Sequence, residues 1–309
     1  MIASLPIASQ DRDVERWIAP FFPEIDWSVA ARCCDEGISY DINGPFLVVT
    51  PVLKNNILHG LYQEYEYTDS TGWQFCETRL YTNDTFYGFY FGKFGDLGII
   101  NDRELLIVYM DIKLGEDGTR QGYELIFNCN GRLCSEGIVQ LKWCNKEDEG
   151  GPEVTRNNDV IDYADKTDGE VKTDSLSANW RARQYYTGGS RDGLYELSQN
   201  INGLWRQALW CNFRDGSLAD FHLSFSHSID GFHRFYLNIK PSDNYSDDYP
   251  LQGYAYIFTS QGKLVAEGEI LIHKTWDPLI EHTDESGIKR VGQWKIYDAD
   301  TPGFEAKDY

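Results

Sequence analysis

The chain has 309 residues, with 49 acidic side chains against 28 basic ones and a formal charge of −21. That balance excludes a nucleic-acid backbone or an anionic membrane surface as partner, because both are held by clustered Lys and Arg. The length predicts about two domains, and no apolar run reaches the roughly eighteen residues of a transmembrane helix.

Aromatic residues stand out, with 9 Trp, 20 Tyr and 16 Phe against 2 Met. Large rings with polar tips favour strands and the walls of small-molecule sites. The N-terminal MIASLPIASQDRDVER has no basic stretch followed by a long apolar run, so no secretory signal is expected. The 7 cysteines are odd in number and contain no CxxC pair. They read as free, mostly buried thiols in a reducing, cytoplasmic setting.

Residues 1–45 read as a helical N-terminal cap. Asp11 to Ala19 forms a short helix stopped by Pro20, and a second helix from Pro23 to Cys34 carries Trp27, Ala30, Ala31 and Cys34 on one face. Residues 46–144 are a run of short strands: FLVVTPVL, LYQEYEYT, WQFCETRLY, FYGFYFGKF, ELLIVYMDIKL, YELIFN and GIVQLKW. Turn-forming residues separate them, the signature of an antiparallel meander. Residues 145–177 are acidic and polar, and read as a linker or loop. Strands resume over 178–275, and the charged tail 276–309 reads as irregular.

The second run repeats the first. GYELIFNCNGRLCSEGIVQL at 122–141 matches GYAYIFTSQGKLVAEGEILI at 253–272. Tyr109-Met110-Asp111-Ile112-Lys113 matches Tyr236-Leu237-Asn238-Ile239-Lys240, and Gly60-Leu61-Tyr62 matches Gly193-Leu194-Tyr195. A repeat of this size is a domain-sized unit. Consecutive up-and-down strands favour closure, which removes exposed edges, so two tandem antiparallel β-barrels are expected.

Strand alternation picks out a site. Leu61, Gln63, Tyr65 and Tyr67 share the more apolar face of their strand, and Trp73, Phe75, Glu77, Arg79 and Tyr81 share a face of the next. With Trp73 and Phe75 pointing inward, Glu77 and Arg79 enter an aromatic interior, where a paired acid and base suit work on a small organic ligand. The alternative is a twist at Cys76 that carries both charges to solvent. The matching face of the second unit, Trp205, Gln207, Leu209, Cys211 and Phe213, has no ion pair.

The tyrosines and carboxylates of Glu64-Tyr65-Glu66-Tyr67, then Gly72-Trp73, then Glu136-Gly137-Ile138-Val139-Gln140-Leu141-Lys142-Trp143 resemble the strand order of phenolic acid decarboxylases, which are small calycin (lipocalin-like) barrels. The duplicated arrangement resembles two-barrel proteins related to molybdenum cofactor biosynthesis protein F. The resemblance covers residues 60–143 best. It implies that Tyr65 and Tyr67 orient a substrate carboxylate near an Arg and a Glu. The family's Arg lies on the strands after its Gly-Trp, and Phe86–Phe94 carries none.

His222, His227 and His233 crowd one hairpin. Pairing Ile229 with Phe232 does not bring them together, so they are expected at the surface or rim rather than on zinc. The face carrying Tyr109, Asp111 and Lys113, with its repeat at Tyr236, Asn238 and Lys240, reads as outer surface or a contact between the units. No phosphate-binding, dinucleotide-binding or zinc-protease motif occurs, so neither cofactor nor metal is expected.

The reading is a cofactor-independent lyase, isomerase or cyclase acting on a hydrophobic or aromatic small molecule. Glu77, Arg79, Tyr65 and Tyr67 are the catalytic candidates, and Trp73, Phe75 and Tyr81 the ligand-binding ones. The alternatives are a non-catalytic carrier or sensor of an apolar ligand, and a structural protein with filled barrels.

Overall fold

The computed structural model describes residues 37–309 apart from 44–45, 54–56, 69–71, 83–84, 95–104, 115–118, 129, 143–152, 157–160, 163–168, 202–203, 227–230, 244–245, 261, 280–285 and 298–302. The expected N-terminal helices lie outside these residues. The last residues assigned to that cap, Gly37–Asn43, form a strand instead.

The described chain is all β. The first half contains β1 (Gly37–Asn43), β2 (Phe46–Leu53), β3 (Ile57–Leu58), β4 (Gly60–Thr68), β5 (Gly72–Thr82), β6 (Thr85–Phe94), β7 (Leu105–Leu114), β8 (Arg120–Phe127), β9 (Leu133–Lys142), β10 (Glu153–Arg156) and β11 (Ile161–Asp162). The second contains β12 (Glu170–Ser177), β13 (Trp180–Thr187), β14 (Ser190–Ile201), β15 (Leu204–Arg214), β16 (Ser217–Ser224), β17 (Phe232–Pro241), β18 (Leu251–Thr259), β19 (Leu264–Ile272), β20 (Ile288–Tyr297) and β21 (Phe304–Asp308). Each half is one antiparallel sheet, with its longer strands paired in chain order. Among the described residues no pairing joins β1 to β10 or β12 to β21.

Two expectations give way here. The acidic segment 145–177 contributes β10, β11 and β12, and the tail 276–309 contributes β20 and β21. Almost every residue of β12 and all of β21 are exposed. An edge strand held by backbone bonds alone needs no apolar alternation, so composition reads it as loop.

Both faces of each sheet are buried. One face of each meets the other half in a shared core that combines Leu61, Phe89, Phe91 and Phe127 with Phe221, Phe235 and Phe258. Phe89 lies edge-on to Phe235 at 5.5 Å, and Phe91 to Phe221 at 5.5 Å. Such pairs contribute about 0.5–1.5 kcal/mol each beyond area burial. The opposite faces form separate cores: Phe86, Tyr90, Tyr109, Ile112, Val139 and Leu141 in the first half, and a larger cluster around Tyr236, Ile257, Trp276 and Trp294 in the second.

The halves are joined reciprocally. Leu194 N donates to Gly131 O at 2.7 Å, and Leu61 N donates to Gly262 O at 2.9 Å. Gly131 and Gly262 occupy the same place in the repeat, as do Leu61 and Leu194. The repeated Gly-basic-Leu turn of each half therefore docks on the repeated Gly-Leu-Tyr of the other, a two-fold-like arrangement. Backbone must approach backbone here: a Cβ on Gly193 would lie 2.4 Å from Gly131 O, at φ +100°. Gly193→Ala is expected to cost at least about 2 kcal/mol, seen as a lower urea midpoint at unchanged slope.

The Tyr-Asx-Lys repeat is also explained. Asp111 and Asn238 have φ of 52° and 54°, and each sits where the strand register shifts. Asx residues tolerate this left-handed conformation at a bulge. Tyr109 and Tyr236 are buried, at 2% and 1% exposure, in the separate cores of their own halves, so their face is neither outer surface nor a contact between the units. Two of the clustered histidines are likewise internal, with His222 and His233 buried. The hairpin register pairs Ser224 with Arg234, three residues from the expected one, and His227 lies outside the described residues.

Candidate active site

The site is organised by one extra residue. β4 pairs Glu64 with Glu77 and Tyr65 with Phe75, which leaves Cys76 unpaired in a bulge. A bulge re-phases the strand. By register, positions 73 and 75 follow Tyr67 and Tyr65, in step with position 61. Positions 77, 79 and 81 follow Glu64, Tyr62 and Gly60 on the other face. The seven expected site residues therefore fall into two sets: Tyr65, Tyr67, Trp73 and Phe75 by register, and Glu77, Arg79 and Tyr81 opposite. Both the common face and the solvent alternative are corrected, because Glu77 and Arg79 are 7% and 8% exposed.

Around that charged pair runs a straight cross-strand row. Tyr62 pairs with Arg79, Arg79 with Tyr90, Tyr90 with Tyr109, Tyr109 with Glu124, and Glu124 with Gly137. Partners directly opposite share a face with Cβ atoms about 5 Å apart, so the row is a continuous strip of touching side chains. Arg79 Nη2 lies 2.9 Å from Glu77 Oε1. Tyr90 donates to Glu77 Oε2 at 2.8 Å. The Arg79 guanidinium sits 4.2 Å from the Tyr62 ring centroid and 5.9 Å from that of Tyr81. Tyr62 in turn donates to Glu64 at 3.0 Å. At the far end, Arg156 grips Glu124 through both oxygens, at 2.7 and 2.8 Å.

The row thus holds two Arg–Glu–Tyr sets, Arg79–Glu77–Tyr90 and Arg156–Glu124–Tyr109, whose tyrosine rings lie 5.7 Å apart. Burial, reinforced by Glu77, pushes the Tyr90 phenol well above its ordinary pKa. Burial and then Glu124 do the same to Tyr109. Burial, the largest single effect, would loosen the Arg79 proton, but Glu77, Tyr81 and Tyr62 together outweigh it and the net shift is upward. The strip is therefore a set of neutral phenol donors beside a fixed cation. Arg79 Nε is buried and has no hydrogen-bond acceptor among the described residues.

The second half has the same row with different chemistry: Tyr195–Cys211–His222–Tyr236–Ala255–Gly268. Leu209 replaces Glu77, Cys211 replaces Arg79, and Ala255 replaces Glu124. Trp276 covers this row, with its ring 5.0 Å from His222 and 5.8 Å from Tyr236. Only the first half keeps charge at its centre.

Sequence reasoning missed Tyr90, Tyr109, Glu124 and Arg156. The repeat itself marks Tyr109, but its face reads as outer surface or a contact between the units, whereas Tyr109 lies in a core of first-half residues. No group of metal-ligating side chains occurs among the described residues, and no described helix is long and apolar enough to cross a membrane. No protein-family model, curated protein or solved structure matches the chain.

Glu124 is fully buried and Arg156 is 45% exposed at its side chain. Arg156→Ala is expected to cost about 2 kcal/mol, below the range for fully buried pairs because solvent already reaches the guanidinium. The double change with Glu124→Gln should recover much of that loss in chemical denaturation.

Proposed function

We propose that the first half carries a small-molecule site and that the protein is a cofactor-independent enzyme of lyase, isomerase or cyclase type. Its substrate is a hydrophobic or aromatic molecule with an anionic or carbonyl oxygen. We further infer that each half is a calycin-like barrel, consistent with the up-and-down strand order. The observation that carries the functional reading is Arg79. It is a buried guanidinium flanked by Tyr62 and Tyr81, anchored on Glu77, and its Nε lacks an acceptor among the described residues. A ligand oxygen on Arg79 would satisfy that donor, and the adjacent rings would take the apolar body. Tyr62 and Tyr81 are half-buried, and burial raises both phenols. Each can hold a proton for transfer to a developing anion.

Glu77 then fixes Arg79 and Tyr90. The second reading, a carrier without chemistry, is favoured by that same engagement: Arg79 faces one Glu77 oxygen and Tyr90 donates to the other. Glu77 is thus held by both neighbours, although its Oε1 accepts no hydrogen bond among the described residues. The test is a panel of aromatic carboxylic acids, followed by tryptophan fluorescence and product chromatography. Arg79→Met is expected to weaken binding by about 100-fold, the worth of a charge-assisted contact. An Arg79→Met protein that binds as well as the parent would remove Arg79 from the site. If Glu77→Gln still binds but no panel member is ever altered by the parent, the carrier reading stands. Turnover in the parent that vanishes in Tyr62→Phe or Tyr81→Phe would establish the enzyme.

A further inference from the structure

Two carboxylates at matching places in the repeat, Glu136 and Glu267, are treated differently by the fold. Glu136 is 4% exposed and saturated. Arg214 of the second half reaches across to it, donating from Nη1 to Oε1 at 2.9 Å and from Nη2 to Oε2 at 2.5 Å, and Tyr123 donates to Oε2 at 2.7 Å. Asp220 holds Arg214 in place through Nε at 2.8 Å. Glu267 is 1% exposed, and Lys295 and Tyr297 both donate to its Oε1, at 2.6 and 2.8 Å. Its Oε2 is buried with no hydrogen-bond partner among the described residues.

The asymmetry has a cause in the repeat. Arg214 closes the β15–β16 hairpin opposite Ser217, and its counterpart Thr82 closes the β5–β6 hairpin opposite Thr85. Asp220, opposite Ile239, corresponds to Gly88, opposite Ile112. Where one side of the interface supplies a guanidinium and a carboxylate to hold it, the other supplies Thr82 and Gly88. Tyr87 and Tyr254, both half-buried, interact electrostatically with Glu267, and the Lys295 ammonium lies 5.7 Å from the Tyr87 centroid.

We propose that Glu267 is the base of a binding site for a guanidinium-bearing ligand, which takes the place that Arg214 fills at Glu136. A planar guanidinium can bond both carboxylate oxygens in parallel and stack on tyrosine faces, and an ammonium can do neither as well. Lys295, whose side chain is 35% exposed, swings out to admit it. The strongly acidic chain draws cations toward the site. The site is separate from Arg79 and stands whatever the function of the first-half row.

The test is titration of the intact protein with N-acetylarginine amide and with methylguanidinium, read by calorimetry and tyrosine NMR, with N-acetyllysine amide as control. Both guanidinium probes are expected to bind, the lysine probe at least about tenfold more weakly. Binding of the arginine amide alone would identify an arginine side chain, with its backbone, as the source; equal binding would identify a free guanidinium. Glu267→Gln should abolish the response. Thr82→Arg, which rebuilds the Arg214 arrangement from the chain itself, should also abolish it while the fold stays intact, and serves if Glu267→Gln does not fold. Lys295→Met should keep or tighten binding. The proposal is overturned if neither guanidinium probe binds at millimolar concentration, if the lysine probe binds equally well, or if Thr82→Arg binds like the parent.

Discussion

Above about pH 10 the protein is expected to unfold in a single cooperative step, with phenolate absorbance and loss of β circular dichroism rising together. The cause is the number of buried phenols. Burial, and behind it Glu77, raises Tyr90 far above the ordinary tyrosine value. Burial, and then Glu124 and Glu267, does the same to Tyr109 and Tyr256, and burial lifts Tyr195 to about 12. An unfolded chain releases these protons near pH 10, whereas the folded chain keeps them. The stability they support is complete below pH 10 and is lost as the pH climbs toward the folded values. Each retained proton removes about 1.4 kcal/mol per pH unit. Tyr90, Tyr109 and Tyr256 alone then remove ~4 kcal/mol per unit, against a total of roughly 5–15 kcal/mol for a folded domain. Gradual titration of all tyrosines near pH 10 with the circular dichroism unchanged would contradict this account.

Trp276→Ala is expected to cost about 3–5 kcal/mol, the range for emptying a buried aromatic site. Trp276 is 6% exposed and packs on His222 and Tyr236. Its indole N–H has no acceptor among the described residues, so little polar compensation is lost with it. Its surroundings cannot easily collapse, because the His222–Tyr236 stack is tied into the β16–β17 pairing at 5.5 Å and 17°. Free indole should enter the vacated space and raise the midpoint of thermal unfolding of the variant, with no effect on the parent. A variant as stable as the parent, or one that indole leaves unchanged, would show that the second half is not plugged by this residue.

Much of the architecture was legible in the residues. The matched turns at Gly131 and Gly262 and the matched Gly-Leu-Tyr segments announced two equivalent halves, and in the fold those segments are the ones that join them. Alternation failed at Cys76, because a single unpaired residue reverses every later assignment on the strand. No composition signal marks such a residue. It failed again at Tyr109, because both faces of the sheet are buried and a period of two no longer separates inside from outside. Glu77 and Arg79 were visible as a pair, but Tyr90, Glu124 and Arg156 joined them only through register across strands distant in sequence. The polar edge strands β12 and β21 were read as linker and tail, because their order rests on backbone bonds that side-chain chemistry does not reveal.

The reciprocal docking of the Gly131 and Gly262 turns has a further consequence. A surface that is its own complement can be met by an identical copy, so a single half corresponds to the subunit of a homodimer. In such a dimer any substitution is made twice, and a plugged row in one subunit is a plugged row in both. Fusing the copies into one chain lifts that restriction. The two rows are then free to differ, and they do: one half carries Cys211, Ala255 and an internal Trp276, the other Arg79, Glu77 and Glu124, an asymmetry that two separate copies of one gene product cannot reach.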